Sequence, residues 1–161
     1  MSALRTLIAK ENPLSITHAA RTAGAAVVSL LVARLIGLPE VYWAGITTLA
    51  VIQSTSEATV PTAVQYFAGT AVGAAVGGWA GEHFAGNALV FGACAFMMGT
   101  LFVPFRLERN PYRTASITLA IVMLVPAHSG WTVSVHRFLE VSVGIAVGLA
   151  VSALWPERPA R

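Results

Sequence analysis

Residues 66–77 read Tyr-Phe-Ala-Gly-Thr-Ala-Val-Gly-Ala-Ala-Val-Gly, and residues 137–148 read Arg-Phe-Leu-Glu-Val-Ser-Val-Gly-Ile-Ala-Val-Gly. Phe67 aligns with Phe138, Gly73 with Gly144 and Gly77 with Gly148. Upstream of each copy lies a second match. Tyr42 begins Tyr-Trp-Ala-Gly-Ile-Thr-Thr-Leu-Ala-Val-Ile, and Tyr112 begins Tyr-Arg-Thr-Ala-Ser-Ile-Thr-Leu-Ala-Ile-Val. Apolar helices resemble one another by chance, but these matches keep the same order at nearly the same offset. The chain therefore reads as two copies, residues 19–82 and 88–155. Each copy holds three apolar segments, and an odd number inverts the second copy relative to the first.

The composition fits a chain surrounded by lipid. Hydrophobic residues make up 56% and charged residues 11%, and the mean hydropathy is +0.71. A soluble domain carries about 25% charged residues, so the polar surface a water-soluble globule needs is missing. Ten Lys and Arg face seven Asp and Glu. The basic residues sit at the ends of apolar runs and form no patch interleaved with aromatics, which argues against nucleic-acid binding. Cys94 is the lone cysteine, so neither an intrachain disulfide nor a cysteine metal site is available. No His pair has helical metal spacing, and no nucleophile-elbow, Walker or zinc-protease motif occurs. The chain reads as a non-enzyme without a cofactor.

The apolar segments run roughly over 19–36, 41–52, 61–81, 88–105, 112–125 and 135–155, after a polar leader, 1–18, and before a short tail, 158–161. The expected fold is an all-α integral membrane protein, a six-helix transmembrane bundle. A crossing needs about 20 apolar residues. The second and fifth segments fall short, and short segments at matching places in two inverted halves point to a transport site. With six crossings, Arg5, Lys10, Arg21, Arg106, Arg109, Arg113, Arg158 and Arg161 share one side, against Arg34 and Arg137 on the other. The positive-inside rule then places both termini in the cytoplasm.

Several residues stand out within this frame. Gly69, Gly73, Gly77 and Gly81 share one face of the third segment, and Gly144 and Gly148 one face of the sixth. Such spacing lets helix backbones approach closely in a membrane. Arg137 and Glu140 are neighbours on one helical face. They read either as a charged pair facing a wet cavity or as an interface anchor with its partner. Gln53 closes the second segment, and Thr47, Thr48 and Thr118 place hydroxyls inside the short ones. These line a path or bond back to their own helix. Tyr42, Trp43, Tyr112 and Trp131 fall where aromatic belts form.

Taken in order, these parts resemble the membrane domain of the FUSC family, the fusaric acid resistance and aromatic acid exporter group. The resemblance rests on Tyr42-Trp43-Ala44, the run to Gln53, Ser54, Ala58 and Thr59, and then Gly69-Thr70 with Gly73. In the second half it rests on Tyr112-Arg113, Trp131, Arg137 with Glu140 and Gly144, and Trp155-Pro156. It implies a six-helix bundle that exports small organic anions, often aromatic carboxylates, through the inner membrane. The candidate substrate contacts are Arg137, Glu140, Gln53, Thr48, Tyr66, Thr70, Tyr112 and Arg113, Tyr66 standing where family members usually carry a basic residue. A lone six-helix unit is further expected to work in the lipid bilayer as a homodimer, C2 being the commonest closed symmetry. The alternative is a membrane subunit that transports nothing and binds a partner.

Overall fold

The computed structural model describes residues 16–53, 56–103, 109–125 and 129–155. The expected leader up to residue 15, Arg106 and Glu108 of the charged loop, Pro126, His128 and the tail from Pro156 onward lie outside them. The described residues are all-helical, with α1 (Ile16–Leu35), α2 (Tyr42–Val51), α3 (Ser56–Phe84), α4 (Ala88–Phe102), α5 (Arg109–Leu124) and α6 (Gly130–Leu154). Gly37 and Gly86, both at φ 74°, make the left-handed turns that end α1 and α3, a conformation glycine adopts without penalty. Asn87 starts α4 by accepting hydrogen bonds from the amides of Leu89 and Val90. Pro61 does not open α3 as the segment boundaries suggested. The helix begins at Ser56 and runs through the proline.

Two of the six helices, α1 and α6, are long and apolar enough to cross a membrane on length and composition alone. Helix α3 has 29 residues, but glycines, threonines and Gln65 dilute it. Helix α2 has only ten residues, about 15 Å at 1.5 Å per residue.

Helices α3 and α6 form the centre. Helices α1 and α2 pack on α6, whereas α4 and α5 pack on α3. Each half therefore lays its short helices against the long helix of the other half. Down α3 from Phe67 to Gly78 and Glu82, the partners on α6 fall from Phe138 to Trp131 and Gly130. The two central helices are thus antiparallel.

The contacts recur with the sequence. A Cβ added to Gly73 of α3 would overlap the Ala115 carbonyl oxygen and lie 2.9 Å from the Thr118 Cβ on α5. A Cβ added to Gly144 of α6 would overlap the Ala44 carbonyl oxygen and lie 2.7 Å from the Thr47 Cβ on α2. Gly77 meets Leu119 and Val122, and Gly148 meets Thr48 and Val51. Every residue in the second set differs from its counterpart by 71 in number. The packing register is therefore 71. Tyr42 answers to Arg113 rather than to Tyr112, because side chains facing the glycines, not the matching tyrosines, set the phase. Phe67 and Phe138, themselves counterparts, stack on each other with ring centroids 5.1 Å apart.

Polar and apolar groups are distributed in the reverse of a water-soluble domain. Ser29, Thr47, Thr70, Thr118, Ser134, Arg137 and Glu140 are buried, while Val27, Leu31, Leu49, Phe96, Met97 and Leu139 are exposed. Hydroxyls and glycines face neighbouring helices, and large apolar side chains face outward, as they do where the solvent is hydrocarbon.

Gly73→Ala and Gly144→Ala are each expected to cost about 1–3 kcal/mol, since the added methyl must push two backbones apart. Gly92→Ala meets nothing within 4 Å and should not lower stability. Thermal unfolding of the three variants in detergent checks the contrast.

Candidate functional site

A cavity of about 410 Å³ opens between α2, α3 and α5, within the size range of small-molecule sites. Ala50 and Gln53 line it from the end of α2, Thr62 and Tyr66 from α3, and Arg113, Thr114 and Ile117 from α5. Thr62 and Tyr66 are four apart and so stand one turn above the other. Arg113 is the only charged residue among the described lining residues. It shares the lining with Tyr66 and Gln53, and no described lining residue is acidic, so the cavity offers donors to an anion.

The wall at Gln53 is held by the backbone. The Gln53 amide donates to Thr59 Oγ1 at 3.1 Å, and its carbonyl accepts from the Arg21 guanidinium. Arg21 also donates to the Trp155 carbonyl at 3.1 Å and lies 3.3 Å from His18 Nδ1. It is only 2% exposed. One guanidinium therefore ties the start of α1 to the ends of α2 and α6, where helix carbonyls lack intrahelical donors.

A second polar cluster lies further along α6. Arg137 is 3% exposed, and its Cζ sits 3.5 Å from the ring centroid of Trp43, a cation–π stack. Trp43 Nε1 donates to Glu40 Oε2 at 2.9 Å. The Glu40 amide donates to Glu140 Oε1 at 2.9 Å. Arg137 and Glu140 do not pair with each other. The Nε and Nη1 atoms of Arg137 and Oε2 of Glu140 are buried without a hydrogen-bond partner.

Three of the eight substrate positions named from the sequence, Gln53, Tyr66 and Arg113, thus converge on the cavity. Arg137 and Glu140 share the second cluster. Thr48 stands apart from both. Its hydroxyl lies 2.9 Å from the carbonyl oxygens of Ala44 and Gly144 and joins α2 to α6. Thr70 is fully buried, with its hydroxyl unpartnered. Tyr112 lies against Gly99 of α4. The glycines fall at helix contacts: Gly69, Gly73 and Gly77 meet α5, Gly81 meets Val122 and Gly130, and Gly144 and Gly148 face α2. Sequence reasoning missed Glu40 and read Trp43 as part of an interfacial belt. It counted Arg21 only as a topological charge. The missed signal was proximity across the repeat, since Trp43 is the 71-residue counterpart of Thr114. No group of three or more His, Cys, Asp and Glu able to hold a metal occurs among the described residues.

Among the described residues, an all-helical bundle with apolar outer faces and two membrane-length helices has the make-up of a membrane protein. The chain belongs to the fusaric acid resistance protein-like family, whose model matches residues 25–151. That family is one of membrane transporters, not of enzymes. No curated protein and no solved structure matches the chain significantly.

Arg21→Met should cost about 1.5–3 kcal/mol, the range for a lost hydrogen bond to a charged group, and Arg21→Lys should recover part of it. Denaturation in detergent measures the loss. The folded Arg21→Lys variant is expected to keep the ligand affinity of the parent, since Arg21 is no part of the cavity lining.

Proposed function

We propose that this chain is a permease for small organic anions, aromatic carboxylates first among them, exporting them across the inner membrane. The observation that carries the reading is the cavity, in which Arg113, Tyr66 and Gln53 meet without a described acidic residue. A guanidinium grips a carboxylate through two parallel hydrogen bonds, and an apolar lining residue such as Ile117 suits an aromatic ring.

All six helices are assigned to the membrane in this reading. The short α2 is tolerated because α1, α3 and α6 pack around it. The halves are inverted repeats about an axis in the membrane plane that passes between Phe67 and Phe138. Antiparallel central helices and the recurring contacts at Gly73 and Gly144 support this. Both termini are cytoplasmic, from the charge asymmetry. The cavity, framed by the end of α2 and the first halves of α3 and α5, then opens inward, where an exporter must load. Arg137 and Glu140 belong to the onward path, with Thr48, Thr70 and Tyr112 in the supporting walls.

The working unit is proposed to be a homodimer. An apolar groove of about 320 Å³ between α3 and α6, lined by Ala71, Ala75, Trp131, Val135 and Leu139 among others, offers a seam. Light scattering in detergent should give twice the chain mass, and a single-chain mass would remove the dimer.

The test of transport is uptake and efflux of labelled benzoate in proteoliposomes, with and without a proton gradient. Arg113→Gln should raise the half-saturation concentration roughly 10- to 150-fold, the equivalent of about 1.5–3 kcal/mol for a charge-assisted hydrogen bond. Arg137→Lys should keep the fold and slow flux, because an ammonium reproduces neither the planar fork nor the stack on Trp43. Benzoate flux no faster than in protein-free vesicles, in either direction, would remove the assignment. Cysteines added after Arg161 should label only from the cytoplasmic side, and labelling from outside would invert the topology.

A further inference from the structure

The 71-residue register assigns every residue of the open cavity a counterpart. Arg113 corresponds to Tyr42, Tyr66 to Arg137, Thr114 to Trp43 and Thr62 to Val133. The cavity thus holds one arginine and one tyrosine, and its counterpart region holds one tyrosine and one arginine with the positions exchanged. The two regions differ in what fills them. Thr114 leaves about 410 Å³ open. Trp43 instead places an indole against Arg137, 3.5 Å from guanidinium carbon to ring centroid. They also differ in charge. Gly69, which packs on the Pro111 carbonyl, is replaced in the register by Glu140, and Pro111 by Glu40. These two acidic residues are joined through the Glu40 amide.

We propose that Arg137, Tyr42 and Trp43 form a second anion vestibule, repeat-related to the open cavity and facing the opposite end of the bundle, which the Trp43 side chain closes in this structure. Two features point to a ligand there. Arg137 is 3% exposed, and its Nε and Nη1 have no hydrogen-bond partner among the described residues, so a buried guanidinium holds donors free for a ligand. Tyr66 of the open cavity and Arg137 sit next in sequence to the stacked Phe67 and Phe138. The open cavity therefore ends close to where the closed vestibule begins. An anionic ligand leaving Arg113 and Tyr66 reaches Arg137 once the indole swings away. Glu40 and Glu140 then keep the grip of Arg137 weak, which favours release. The ligand class follows the organic-anion reading above, and the gate rests on that reading for its cargo but not for its geometry.

The experiment uses the full chain in proteoliposomes, in a Cys94→Ala background, with an impermeant maleimide applied to either face. Thr62→Cys should label fast from the face onto which the cavity opens, and Val133→Cys, half-buried in the closed region, should label slowly. Adding Trp43→Ala should speed labelling of Val133→Cys by roughly tenfold or more from the opposite face, as expected when a minor open state becomes the main one. The reciprocal change, Thr114→Trp, should plug the open cavity and abolish labelling of Thr62→Cys. It tests the same equivalence if Trp43→Ala fails to insert. Val133→Cys labelling that is equally slow with and without Trp43, or Thr62→Cys labelling that survives Thr114→Trp, would overturn the proposal. Labelling needs no transported substrate, so a failed gate and a failed benzoate flux are separate outcomes.

Discussion

Close approach of parallel helices at glycine is the constraint on which the rest of the structure depends. Gly73 admits the Ala115 carbonyl and Gly144 admits the Ala44 carbonyl, each at a distance no Cβ could share. Lipid tails are as apolar as leucine, so burial of hydrocarbon gives helices no reason to associate. Intimate van der Waals contact and interhelical hydrogen bonds must do it. The Thr48 hydroxyl, placed between the carbonyls of Ala44 and Gly144, supplies one such bond at the seam. The same close contacts hold α5 on α3 and α2 on α6. They fix the height of α2 and α5, and with it the positions of Trp43, Arg113 and Thr114.

Charges inside such a bundle are costly, and the structure deals with each differently. Arg21 donates through its terminal nitrogens to carbonyls at helix ends, where free acceptors are available at no cost to any helix. Arg113 stays exposed in the cavity. Arg137 is neither exposed nor hydrogen-bonded at two of its nitrogens, and its stack on Trp43 is a partial substitute for solvation. A purely structural arginine would be expected to resemble Arg21. Helix-end carbonyls bind Arg21 and no carbonyl binds Nε or Nη1 of Arg137, and that difference is the physical basis for proposing a functional role for Arg137.

Much of this fold was legible in the sequence. The repeated Val-Gly-x-Ala-Val-Gly pattern and the apolar segments carry the helix count and mark the two glycine-rich helices that lie at the centre. Glycine spacing carries the seams, because small residues every fourth position leave one face bare. The register was readable only to within one residue. Matching tyrosines suggest Tyr42 with Tyr112, but the contacts at Ala44, Thr47 and Val51 show that packing obeys 71. That single step moves Arg113 into correspondence with Tyr42 and exposes the arginine–tyrosine exchange. The site was legible only in part. Gln53, Tyr66 and Arg113 meet as distant segments of chain, and no local pattern records the meeting. Trp43 looked like an interfacial aromatic because its sequence neighbours are those of a helix start. Its role depends on Arg137, 94 residues away in number.

Identity between the halves is concentrated at the helix seams. Around the central glycines the two copies keep Ala44 with Ala115, Thr47 with Thr118 and Val51 with Val122, while Thr48 answers to Leu119. Around the two polar regions they differ in size and charge: Thr114 against Trp43, Gly69 against Glu140, Pro111 against Glu40. Two identical regions would bind an anion equally well at both ends, and a ligand bound equally in every state shifts no equilibrium between them. In the proposed export reading, an open region with Arg113 and no described acidic lining residue, and a closed one with Arg137 near two carboxylates, would hold an anion unequally. The packing thus conserves the glycine frame common to the halves, and the unequal residues supply the difference between the two polar regions.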